Sequence, residues 1–76
     1  MDIAGLKPLF GQQCVAVTGQ RSFVGTLEPI PNSTSTVTMT PLPANLATQY
    51  DFAINGVAAL DVGSITFCQR LADYKT

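Results

Sequence analysis

Gln13-Cys14-Val15-Ala16-Val17-Thr18-Gly19-Gln20-Arg21-Ser22-Phe23-Val24-Gly25-Thr26-Leu27 is the stretch whose reading decides the fold. From Gln12 onward the side-chain period is two. Gln13, Val15 and Val17 share one strand face, and Cys14, Ala16 and Thr18 share the other. Gly19-Gln20 reads as a tight hairpin turn, because glycine takes a positive φ at the first central position without a Cβ clash. A second strand runs from Arg21 to Leu27, with Phe23, Gly25 and Leu27 on one face. Gly25 lies inside that strand, where a glycine marks a bend, a bulge or the close approach of another backbone.

Upstream of the hairpin, Ile3, Leu6, Leu9 and Phe10 have helical spacing, and Asp2 can cap the first turn. Pro8 limits this helix, residues 2–10, to one or two turns. Downstream, Glu28-Pro29-Ile30-Pro31-Asn32 reads as a loop, since two prolines do not fit a paired central strand. Residues 33–40 are almost all Ser and Thr, but β-branched threonines alternate with Val37 and Met39, which predicts a third strand. Residues 50–54 predict a fourth strand, Asn55-Gly56 a turn, and residues 57–62 its continuation. After Gly63, residues 64–68 predict a fifth. Short strands with regular turn signals give an all-β fold, a small and strongly bent barrel over residues 12–69 with a tail at 70–76. The whole chain, 1–76, reads as one domain.

Composition adds an assembly argument. Of the 76 residues, 46% are hydrophobic and only 12% are charged, against ~25% charged in ordinary soluble domains. A chain this short buries only about 60% of the surface its unfolded form exposes. A lone copy would therefore leave contiguous apolar surface in water, so a homo-oligomer is expected. The net charge of −1 and the pI of about 4.8 give no overall footprint for a polyanion. The cations are Lys7, Arg21, Arg70 and Lys75, each of which would recur once per subunit in a ring.

Several chemistries find no residues to carry them. There is no histidine, the commonest general base and neutral metal ligand. Asp2, Glu28, Asp51, Asp61 and Asp73 are scattered; a site from Asp51 and Asp61 is conceivable, but solvated turn or edge carboxylates are the simpler reading. The glycines at 11, 19 and 25 lack the spacing of a phosphate loop. No enzyme, cofactor or metal site is expected. Cys14 and Cys68 show no zinc or redox spacing and read as reduced, half-buried thiols. No apolar run approaches the ~18–20 residues that span a bilayer, and the first eleven residues lack the basic start and apolar core of a signal peptide. A cytoplasmic location without membrane attachment is expected.

Leu9-Phe10-Gly11, then Val15-x-Val17, the Gly19-Gln20 turn and Arg21-x-Phe23-x-Gly25-x-Leu27 resemble the first motif of the Sm/LSm family, small SH3-type barrels that close into rings. In that motif a helix leads into a strand, a hairpin and a second strand bent at an inner glycine. An unrelated hairpin with a glycine bulge is the plainer alternative. The family's following polar positions fall on Asn32, Thr34 and Thr36, so its stacking aromatic is replaced by threonine, and base stacking worth ~1–3 kcal/mol per base is lost. Ile54-Asn55-Gly56 resembles the family's Ile-Arg-Gly turn, with an amide in place of the guanidinium. The likeness covers roughly residues 9–68 and looks closest to small, divergent Sm-like proteins of phage or marine microbial type. A phage-encoded chain would work in the host cytoplasm.

The resemblance implies a five-stranded Sm-like barrel and a closed homo-oligomeric ring of about five to seven copies, an edge strand of one copy pairing with the next. Residues 64–68 are expected to form one edge, with the 33–40 strand facing it. Two functions follow. In the first, the ring binds single-stranded RNA, or less readily DNA, in RNA/DNA processing or chaperoning. Asn32, Thr36, Asn55 and Gly56 would converge at the pore and Arg21 would touch phosphate. As plain structure, Asn55-Gly56 is a turn pair, Asn32 a loop cap and Thr36 strand surface. In the second, the ring is a phage-type assembly adaptor that binds protein and no nucleic acid, in keeping with its near-neutral charge and missing aromatic.

Overall fold

The computed structural model describes residues 2–75. Asp2 caps the short helix α1 (Ile3–Leu6), its carboxylate accepting from the Gly5 N–H at 2.9 Å. A single 3₁₀ turn, Lys7–Leu9, follows. Pro8 falls in the first positions of that turn, where its missing N–H is not needed. Strands β1 (Gln13–Thr18) and β2 (Arg21–Pro29) form the expected hairpin, with Gly19 at φ +53°. The strand β3 (Thr36–Thr40) pairs with β2, β4 (Ala58–Asp61) pairs with β3, and β5 (Ile65–Arg70) pairs with β1. All four ladders are antiparallel, and the sheet order is β4-β3-β2-β1-β5.

This order forces the sheet to curl. β4 and β5 are the two margins, yet only the 3₁₀ turn Val62–Ser64 joins them. A flat five-stranded sheet would hold its margins about 19 Å apart, at ~4.8 Å per strand. Four Cα steps reach roughly 14 Å when fully extended, and a 3₁₀ turn reaches less. The sheet therefore wraps on itself, but its margins do not pair, so the barrel is open within one chain.

The curl has a residue behind it. A Cβ on Gly25 would stand 2.6 Å from the Thr40 carbonyl oxygen, so the end of β3 runs directly over this glycine. Of the bend, the bulge and the close approach that a glycine inside a strand marks, the close approach is what Gly25 shows. Beyond Gly25, β3 has left the side of β2, and the first half of β2 would have an open edge. Backbone from the β3–β4 connection fills it: the Val24 N–H donates to the Phe52 carbonyl at 3.1 Å, and the Ile54 N–H donates to the Val24 carbonyl at 3.2 Å.

That connection corrects the sequence reading. Residues 50–54 form no fourth strand; they touch β2 through a single parallel bridge, Val24 to Ala53. The β4 strand lies inside the predicted 57–62 continuation, one residue short at each end. Aromatic and apolar residues at 50, 52 and 54 produced the strand signal, but they serve packing. Together with the short helix α2 (Ala44–Ala47) and the helix α3 (Leu71–Lys75), this segment covers the outside of the β1–β2 hairpin. The tail placed at 70–76 is thus helical over residues 71–75. Pro29 proves compatible with β2 because it takes the strand's last paired position, opposite Val37. The 33–40 strand shortens to β3 because Asn32 adopts a left-handed φ of +65° and the Ser33 hydroxyl accepts from the N–H groups of Ser35 and Thr36.

Two apolar clusters result. Inside the curl, Leu6, Cys14, Ala16, Leu27, Val37, Met39, Leu60, Val62 and Ile65 are buried together. Outside it, Val15, Val24, Leu42 and Leu71 are buried beneath the 41–54 segment and α3. β1 thus buries both faces, as its run Cys14-Val15-Ala16-Val17 requires.

Candidate interaction surfaces

Two surfaces follow from this fold: the unpaired margins and one loop end. β4 offers four residues, Ala58–Asp61, with no strand beyond it, and β5 offers its outer side along residues 66–70. The expected edge at 64–68 is β5, beginning one residue later. The 33–40 strand is not an edge: β3 lies between β2 and β4, and β4 takes the margin instead. Large apolar side chains are exposed beside both margins. Val57, just ahead of β4, is 69% exposed, and Phe67 on β5 is 48% exposed. Thr66 is an extra residue in β5, since Val17 faces Phe67 while Thr18 faces Ile65. This bulge lets Ile65 and Cys68 both pack inward and turns Phe67 outward.

The loop end gathers residues from three segments. The Val62 N–H donates to the Ser35 carbonyl at 2.8 Å, tying the β4–β5 turn to the β2–β3 loop. Thr36 pairs with Asp61, and the Asp61 carboxylate accepts from the Ser64 hydroxyl at 3.1 Å. Asn32, Thr34, Ser35, Gly63 and Ser64 are exposed around this contact, while Ser33 and Thr36 are half-buried. On the far side, Thr18 pairs with both Ile65 and Arg21. Arg21 therefore lies two strands from Ile65, roughly 10 Å away.

Asn32 and Thr36 thus share one loop end, with Arg21 at its border. Asn55 and Gly56 do not join them. Both are exposed in the approach to β4, at the opposite end of the β3–β4 ladder from Thr36 and Asp61. Three residue steps of strand, roughly 10 Å, separate the two ends of the ladder. Within one chain, the β3–β4 register thus sets Asn55 and Gly56 at the other end of the ladder from Thr36. The turn joining the last two strands is Val62-Gly63-Ser64, at the break that Gly63 marks in the sequence, and the Asp61 carboxylate and Ser64 hydroxyl bridge it.

The electrostatics of the loop end are mild. Asp61 contributes a carboxylate, and Arg21 and Lys7 are exposed and form no ion pair among the described residues. Arg70 is paired with Asp73 at 3.0 Å. Asp51 is exposed on the 41–54 segment. The described residues enclose no pocket and contain no cluster of three metal-ligating side chains. No helix among them is long and apolar enough to cross a membrane.

No protein-family model, curated protein or solved structure matches this chain.

Proposed function

We propose that this chain is an Sm-like assembly module: copies associate into a closed ring by pairing β4 of one with β5 of the next, and the ring works as a scaffold for protein partners. One observation carries the reading. The sheet curls until its margins lie within a three-residue turn of each other, yet both margins keep unpaired backbone groups. Unpaired edges invite strand addition, and a closed ring leaves none open. The exposed Val57 and Phe67 sit beside those margins, where a neighbouring copy would cover them. The helix, the hairpin and the second strand bent at Gly25 agree with the Sm-like pattern.

Protein, not nucleic acid, is the favoured ligand of the ring because the expected base-binding set is split. Asn55 and Gly56 lie away from Asn32 and Thr36, and Asp61 takes a place beside Thr36. A carboxylate there repels phosphate. The binding of single-stranded nucleic acid is the second reading, favoured by the exposed Asn32 and its hydroxyl-rich loop with Arg21 nearby.

Fluorescence anisotropy with pools of short single-stranded RNA and DNA at about 50 and 200 mM salt separates the two. The assembly reading gives a flat titration at both salts from an intact oligomer. Saturable binding that weakens with salt and falls in Arg21→Ala or Asn32→Ala transfers the function to nucleic acid.

A further inference from the structure

We propose that Cys14 and Cys68 form a redox-active thiol pair, in which Cys68 attacks a small-molecule disulfide and Cys14 resolves the adduct into an intrachain disulfide. This site does not depend on the ring reading.

The pair is built by strand register. Cys14 lies opposite Arg70 and Cys68 lies opposite Ala16, so the cysteines are diagonal neighbours on adjacent strands. Both side chains point to the same face and pack in the inner cluster. The Thr66 bulge makes this possible: without the extra residue, Ile65 and Cys68 could not both face inward. The two thiols lie near enough for each to influence the other's ionisation. Cys14 is also held from the β1 side, its sulfur 3.3 Å from the Gln12 carbonyl oxygen and 3.6 Å from that of Leu9.

The two sulfurs differ in access and in acidity. Cys14 is fully buried, whereas Cys68 is partly exposed on the margin strand β5. The neighbouring Cys68 and burial keep the Cys14 thiol protonated, with the Arg70 guanidinium opposing them. The neighbouring Cys14 favours the Cys68 thiolate against the cost of its own burial. The less buried cysteine is thus also the one whose thiolate is favoured. Once Cys68 is capped, the interaction that most restrains Cys14 is gone.

The chemistry closes on itself. The Cys68 thiolate attacks one sulfur of R–S–S–R, forming Cys68–S–S–R and expelling one thiolate, which takes up the proton Cys68 gave away. Cys14 then loses its proton and attacks the Cys68 sulfur, expelling the second thiolate, which is protonated in turn. Two protein thiols lose two electrons, and the external disulfide becomes two thiols.

Geometry sets the demand on the fold. Diagonal neighbours in an antiparallel ladder have Cα atoms about 7–8 Å apart, and a disulfide needs about 4.4–6.8 Å. One strand must move in by roughly 1 Å. In the free chain β5 can do so, because β1 is its one strand neighbour and the bulge breaks the ladder near Cys68.

The test is intact-mass spectrometry of the folded full chain during incubation with oxidised glutathione, followed by non-reducing peptide mapping. The expected sequence is a transient glutathione adduct, then a product two hydrogens lighter than the reduced protein, with the Cys14 and Cys68 peptides linked. Cys14→Ala should accumulate the adduct at Cys68, and Cys68→Ala should leave Cys14 unreacted over the same time. If Cys14→Ala does not fold, the order of the wild-type species decides alone. A stable wild-type adduct, a Cys68–Cys68 link between copies or a chain that stays reduced overturns the proposal.

Discussion

The two apolar clusters on either face of the β1–β2 hairpin are built by different means. The inner one is closed by regular antiparallel ladders and contains nine buried residues; the outer one contains four, beneath irregular backbone. Two hydrogen bonds, Val24 to Phe52 and Ile54 to Val24, fix the covering segment to β2. A ladder opens only with its sheet, whereas a segment held by two bonds can open alone. The inner cluster therefore sets global stability, and the outer cluster is a local unit laid over it.

Four substitutions and one exchange experiment sharpen this contrast. Leu27→Ala removes a fully buried inner side chain and should lower stability by about 4 kcal/mol in urea unfolding. Gly25→Ala should cost about 3 kcal/mol, because its Cβ would meet the Thr40 carbonyl oxygen at 2.6 Å and backbone cannot swing aside as a side chain can. Leu42→Ala in the outer cluster should cost about 2 kcal/mol, since loosely held backbone collapses more easily around the lost volume. A loss as large as that of Leu27→Ala would break the distinction. In native-state hydrogen exchange, the Ile54 amide should exchange well ahead of the Leu27 amide, which donates to the Gln12 carbonyl at 3.0 Å. Asp73→Ala, which removes an exposed ion pair with Arg70, should change stability by less than about 0.5 kcal/mol.

The same contrast explains what could be read in the sequence. The period-two run through Cys14 and Val17, the glycine turn and Gly25 are local signals, and each appears in the structure where its chemistry requires. Five strands were expected and five are present, but the fourth was set too early. Tyr50, Phe52 and Ile54 alternate like a strand, but Tyr50 and Phe52 pack on the outer cluster and Ile54 on the inner one, while their backbone finds only one bridge. Nothing in local spacing distinguishes these cases; the open edge beside Val24 arises only once β3 has crossed Gly25.

The candidate site fared similarly. Asn32 and Thr36 lie near each other because only the short 33–35 turn separates Asn32 from the start of β3. Asn55-Gly56 was assigned to their end by likeness to a motif. The register Met39 to Ala58 and Thr36 to Asp61 sends it to the other end, and only strand pairing reveals that. The role of β4 as a margin was hidden for the same reason.

Association through the margins is tested most directly by native mass spectrometry at micromolar concentration, on the wild type and on Ala59→Pro, which places a proline in the margin strand β4. Ring closure by β4–β5 pairing gives one discrete oligomer of about five to seven copies for the wild type and a folded, smaller species for the variant. A wild type that is monomeric, or an Ala59→Pro chain that is folded and keeps the wild-type mass, contradicts assembly through these margins.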